Sequence, residues 1–121
     1  AGFTPMRSDA NDRATLGLRR LYDLHALLPR LGLFQHDPSR VPYDYDEVLQ
    51  AIAPRPTLLW TPKDDRDATY ADVLACVAKA KPAWAGAGSA GLLNHTVEDT
   101  YTMLGDHQSQ LLVDWVRTTL L

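Results

Sequence analysis

Three carboxylates crowd into four positions of this chain: Asp64, Asp65 and Asp67, with Arg66 among them. They follow directly on the apolar run Thr57-Leu58-Leu59-Trp60-Thr61 and on Pro62. Such a cluster suits two kinds of chemistry. With His107 it could gather oxygens and an imidazole around a divalent cation. It could also serve as ordinary turn formers and helix-start charge on a surface loop. No H-E-x-x-H, paired-cysteine or EF-hand pattern accompanies the cluster, so nothing in the spacing singles out a metal. The other groups able to act are scattered: His25, His36 and His95, the single Cys76, and Ser89 in a run of small residues.

Whatever the cluster does, flanking elements must hold it. Thr57–Thr61 is short and continuously apolar, the form of a parallel strand covered on both faces. Thr69 and Asp72 have capping-box spacing, and Tyr70, Val73, Leu74 and Val77 form the stripe of a helix that Lys79, Lys81 and Pro82 should close. Upstream, Asp44 and Glu47 make a second capping box, with Tyr45, Val48, Leu49 and Ile52 on one face, ended by Pro54 and Pro56. Downstream, Ala90–Val97 reads as a second strand. From about His107 a last helix follows, with Asp106 as N-cap and Leu111, Leu112, Trp115, Val116 and Leu120 facing inward. Trp60 and Trp115 read as core aromatics and Trp84 as a cap where helix meets loop. Residues 1–4 suit the tail of a third strand, residues 16–28 a helical piece, and residues 30–42 an irregular loop. Strand, helix, strand, helix with a parallel-type strand is an α/β pattern. In open parallel sheets functional groups collect beyond the carboxyl ends of the strands, and the Asp64–Asp67 cluster occupies such an end.

The totals narrow the function classes. At 121 residues this is one domain at most, with 45% hydrophobic and 22% charged residues, a globular composition. A net charge of −3, with no basic cluster longer than Arg19-Arg20, argues against nucleic-acid binding through phosphate contacts. No apolar stretch approaches the roughly 20 residues that cross a bilayer. The opening AGFTPMRSD has neither the basic nor the apolar region of a signal peptide. One cysteine excludes an internal disulfide.

The order Pro54-Arg55-Pro56-Thr57-Leu58-Leu59, then Pro62-x-x-Asp65-x-Asp67-Ala68, resembles the C-terminal part of the α/β-hydrolase superfamily, in its acetyl xylan esterase and dienelactone hydrolase-like branch. GFTPMR, LLPRLG and RVPYDYDEVL support the likeness in the same order, as does the closing Asp114-Trp115-Val116. The resemblance implies an α/β-hydrolase fold of which residues 1–121 are the C-terminal portion, an incomplete sheet on its own. It implies a Ser-Asp-His triad acting on carboxylic esters, with no cofactor and no metal. Asp65 matches the acid after the penultimate core strand, and His107 is the histidine between last strand and last helix. In the branch the base falls nearer Tyr101–Met103, where this chain has no histidine. The nucleophile elbow G-x-S-x-G belongs upstream of the segment that GFTPMR matches, so the chain is expected to begin after it. Ala87-Gly88-Ser89-Ala90-Gly91 imitates an elbow, but it follows Asp65 and has its helix before the serine, so it reads as a loop. His95 falls inside the second strand as a structural histidine, and His25 and His36 suit the surface. Two functions follow. One is the C-terminal part of a serine carboxylester hydrolase acting on a small-molecule ester, its open sheet covered by the N-terminal part of the same protein or by another chain. The other is a catalytically silent binding or scaffold module on the same frame.

Overall fold

The computed structural model describes residues 4–7, 17, 18, 22 and 29–121. It is a mixed α/β structure built on a parallel two-stranded sheet with flanking helices. Helix α1 spans Tyr45–Gln50, strand β1 Thr57–Asp64, helix α2 Tyr70–Gly86, strand β2 Leu93–Tyr101 and helix α3 Asp106–Thr119. Thr57 pairs with Leu93 and the register holds to Pro62 opposite Glu98, where an irregularity precedes Asp64 opposite Tyr101. β1 therefore runs three residues past the expected end at Thr61. Pro62 is tolerated because it lies at that irregularity and in a strand with one partner among the described residues, where the lost N–H costs least. Residues 90–92, expected as strand, form a 3-10 turn that leads into β2.

The capping box that opens α1 is present, with Glu47 Oε2 accepting from the Asp44 N–H at 2.8 Å. The Asp44 carboxylate is buried. It takes the N–H groups of Tyr45 (2.8 Å), Met6 (2.9 Å) and Arg7 (3.0 Å), so one side chain caps the helix and holds the Thr4–Arg7 segment against it. Arg7 adds an ion pair to Glu47 at 2.9 Å and an Nε bond to Val41 O at 2.8 Å. Thr4, fully buried, donates to Asp67 O at 3.2 Å, which places this segment beside the loop beyond β1. The third strand expected over residues 1–4 lies outside the described residues, apart from Thr4, which is not in a strand. Of the helical piece expected over 16–28, Leu18 and Tyr22 are helical and the rest lies outside the described residues. The loop expected over 30–42 contains 3-10 turns at Pro29–Phe34 and Pro38–Arg40.

α2 departs most from expectation. Thr69 is its N-cap, yet the Thr69 side chain makes no cap hydrogen bond. The helix also does not close at Pro82 but carries it in its interior and continues to Gly86. The reason lies in the buried face, which is Val73, Cys76, Val77, Ala80 and Trp84; Leu74 is exposed. Trp84 is fully buried and donates its indole N–H to Arg55 O at 3.1 Å. Ending the helix at Pro82 would pull this side chain out of the core, a larger loss than the roughly 3 kcal/mol of an interior proline. Gly88, at φ 69°, then closes the helix: its N–H bonds Ala85 O at 3.0 Å and the Ser89 N–H bonds Trp84 O at 2.9 Å, the two bonds of a Schellman motif.

The principal core joins α1, β1, α2 and β2 through Leu49, Leu59, Val73, Val77, Trp84 and Leu93. A smaller cluster holds Met6, Leu18, Leu31 and Val41. The two faces of β1 are covered unequally: Leu59 and Thr61 are buried on one, whereas on the other Leu58 and Trp60 are half-buried and only Pro62, at the irregularity, is buried. That second face belongs to α3, which buries none of its residues; Leu112 and Leu120 are exposed, against the expectation that they point inward. Trp115 ties α3 to the sheet instead, donating to Asn94 Oδ1 at 2.6 Å.

Candidate functional site

Parallel pairing brings two loops to the same end of the sheet. The end of β1 and the loop after it carry Asp64–Asp67, and the turn after β2 carries Thr102–Gly105 and leads to the start of α3. A cleft of about 320 Å³ opens between them, lined by Asp64, Arg66, Asp67, Tyr101 and Thr102.

Each carboxylate of the cluster has a separate task. Asp65 Oδ1 accepts the Asp67 N–H at 2.8 Å, a side-chain turn that shapes the loop. Asp67 lies 3.5 Å from Arg66 Nε, and Asp64 is exposed at the cleft. Among the described residues no group of three or more His, Cys, Asp or Glu side chains is placed to hold a metal ion.

His107 stands in the first turn of α3, with its side chain 74% exposed. The helix starts one residue earlier than expected: Gly105 is the N-cap and Asp106 the first helical residue. Among the described residues no hydrogen bond joins Asp65 to His107, so the two residues named by the resemblance share an end of the sheet without touching. The carboxylate that reaches the imidazole is Glu98 of β2, whose Oε1 lies 3.2 Å from His107 Nε2. Gln108 donates to the other oxygen of Glu98 at 2.8 Å, while its own carbonyl oxygen accepts the Gly105 N–H at 3.2 Å. The Gln108 hydrogen bond, and then the neighbouring Trp60 indole, hold the Glu98 carboxyl below the ordinary carboxylate range, and His107 adds to this against partial burial.

Sequence reasoning passed over Glu98 and Gln108. The signal available was the alternation of β2, which puts Asn94, Thr96 and Glu98 on the α3 side, together with Gln108 three residues after Gly105. His95 points the other way and meets Thr61 Oγ1 at 2.9 Å; burial, and then Lys81, push its pKa down, so it is a neutral imidazole tying the two strands. Ser89 donates to Trp84 O at 3.1 Å at the end of α2, the loop role expected of it. His36 is exposed and His25 lies outside the described residues. No helix among the described residues is long and apolar enough to cross a membrane. No protein-family model matches the chain, and no curated protein matches it.

Proposed function

We propose that this chain is the C-terminal portion of an α/β-hydrolase-type serine carboxylester hydrolase. The observation that carries the reading is the parallel β1–α2–β2 unit, with an aspartate loop beyond its first strand and a histidine-bearing turn beyond its second. That is the order in which the resembled superfamily presents acid and base. The segment Thr4–Arg7, held beside the aspartate loop by the Thr4–Asp67 bond, also fits the place of the chain preceding this unit in that frame. In the reaction a serine supplied from outside residues 1–121 attacks the ester carbonyl. His107 takes the serine proton and returns it to the leaving alcohol, while a carboxylate holds the imidazole and stabilises its cation. The oxyanion donors belong with the elbow.

A fluorophosphonate probe, which phosphonylates activated serines, tests this reading. The natural protein, taken with any residues that precede Ala1, is expected to be labelled at one serine outside residues 1–121, and the 121-residue chain alone is expected to stay unlabelled. Labelling at Ser89, or no labelling of the natural protein, contradicts the reading.

One observation favours a second reading, a binding or scaffold module without catalysis: Asp65 is committed to its own loop and does not reach an imidazole. Under it the natural protein binds small esters, detectable by calorimetry, without turning them over.

A further inference from the structure

Glu98 is the carboxylate on which the start of α3 converges. Its side chain is 19% exposed on β2, opposite Pro62, and it receives Gln108 at 2.8 Å and His107 at 3.2 Å. The Trp60 indole of the neighbouring strand lies beside it and favours its charged form. Gln108 is fixed in turn by its bond to the Gly105 N–H at 3.2 Å. The helix that carries His107 is thereby fastened to the sheet within one residue of the imidazole.

Hydrogen-bond chemistry then fixes the state of the ring. An ionised carboxylate accepts only, so the His107 nitrogen facing Glu98, Nε2, must carry the proton. In a neutral imidazole this leaves Nδ1 as the acceptor, and among the described residues Nδ1 has no partner. Asp65 makes no hydrogen bond to an imidazole among the described residues; its Oδ1 takes the Asp67 N–H.

We infer that Glu98 is a positioning residue that holds the His107 imidazole through Nε2–H, in the orienting role the resemblance gives to Asp65, and leaves Nδ1 as the nitrogen that accepts a proton. The catalytic consequence rests on the proposed hydrolase reading, whereas the tautomer and its cause do not.

Long-range proton–nitrogen correlation spectra of the histidine-labelled natural protein test it, with the His107 signals assigned from His107→Gln. Recorded above the imidazole titration, the wild-type chain is expected to show His107 protonated at Nε2 and bare at Nδ1. Glu98→Ala is expected to give a mixture of tautomers, and Glu98→Gln, which keeps the shape with a weaker acceptor, a smaller move in the same direction. Protonation at Nδ1 in the wild-type chain overturns the inference whether or not the variants fold, and so does an unchanged ring in a folded Glu98→Ala chain. Ester turnover by the natural protein supplies the second arm. Glu98→Gln is expected to lower kcat by about a hundredfold or more with KM unchanged, and a larger loss for Asp65→Asn than for Glu98→Gln returns the orienting role to Asp65. If the natural protein turns over no ester at all, the hydrolase reading fails while the spectra still decide the assignment of Glu98.

Discussion

At the scale of single residues, side chains here are committed by hydrogen bonds that spacing alone does not reveal. Asp44 was legible, because a capping residue three positions before a glutamate and ahead of an apolar stripe has one economical use. Its bonds to Met6 and Arg7 were not, since they depend on a segment 37 and 38 residues away in sequence. Asp44→Ala strips a helix cap and leaves buried N–H donors unpaired, and it is expected to cost about 2–4 kcal/mol in urea unfolding; a loss below about 0.5 kcal/mol would mean that the Thr4–Arg7 segment is not docked. Among the aspartates the sequence could rank Asp65 only by its distance from Pro62, and the structure gives it the Asp67 N–H. Asp64, exposed and at the cleft, should tolerate change to Asn with little effect on turnover. Cys76 is 5% exposed, and burial pushes its thiol up to about 12. It is therefore expected to resist a disulfide reagent at pH 8 in the native chain and to react at once when the chain is unfolded in urea; immediate reaction under native conditions would place it at the surface.

At the scale of elements, type and order were readable, and the errors fall where tertiary burial overrides local rules. Apolar periodicity located α1, α2 and α3, capping chemistry held as expected only at α1, and a continuous apolar run located β1. Propensity ended α2 at Pro82, but burial of Trp84 carries the helix on to Gly86. Trp84→Ala is accordingly expected to cost about 3–5 kcal/mol, and Leu112→Ala on the exposed side of α3 less than about 1 kcal/mol; similar costs at both positions would mean that α3 is packed as tightly as α2. The pairing of the strands has its own pH signature. His95 is held below the ordinary histidine value of 6.5 by burial first and Lys81 second, so the folded chain binds fewer protons there than the unfolded chain. Stability from this group is present above 6.5 and falls as the pH drops below it. Glu98 and Glu47, both held below the usual 4.5, add a further loss in more acid solution. Urea midpoints measured from pH 8 to pH 5 should decline, with a shallower slope in His95→Gln; an unchanged slope in that variant would remove His95 as the cause.

At the scale of the whole molecule, the sheet has two strands, each with one unpaired edge among the described residues, and Leu112 and Val113 of α3, with Leu120 just beyond it, are exposed. Open surface was expected because so few strands with helices cannot cover both faces and both edges of a sheet; composition is silent on it, since 45% hydrophobic residues is an ordinary globular value. We propose that the N-terminal part of the same protein covers these surfaces. The central claim is that this frame serves ester hydrolysis with His107 as base, and turnover of p-nitrophenyl acetate by the natural protein, compared with its His107→Ala variant, tests it most directly. Steady turnover is expected, falling by about 10²–10⁴-fold in the variant without loss of folding; undiminished turnover in folded His107→Ala would remove His107 as the base.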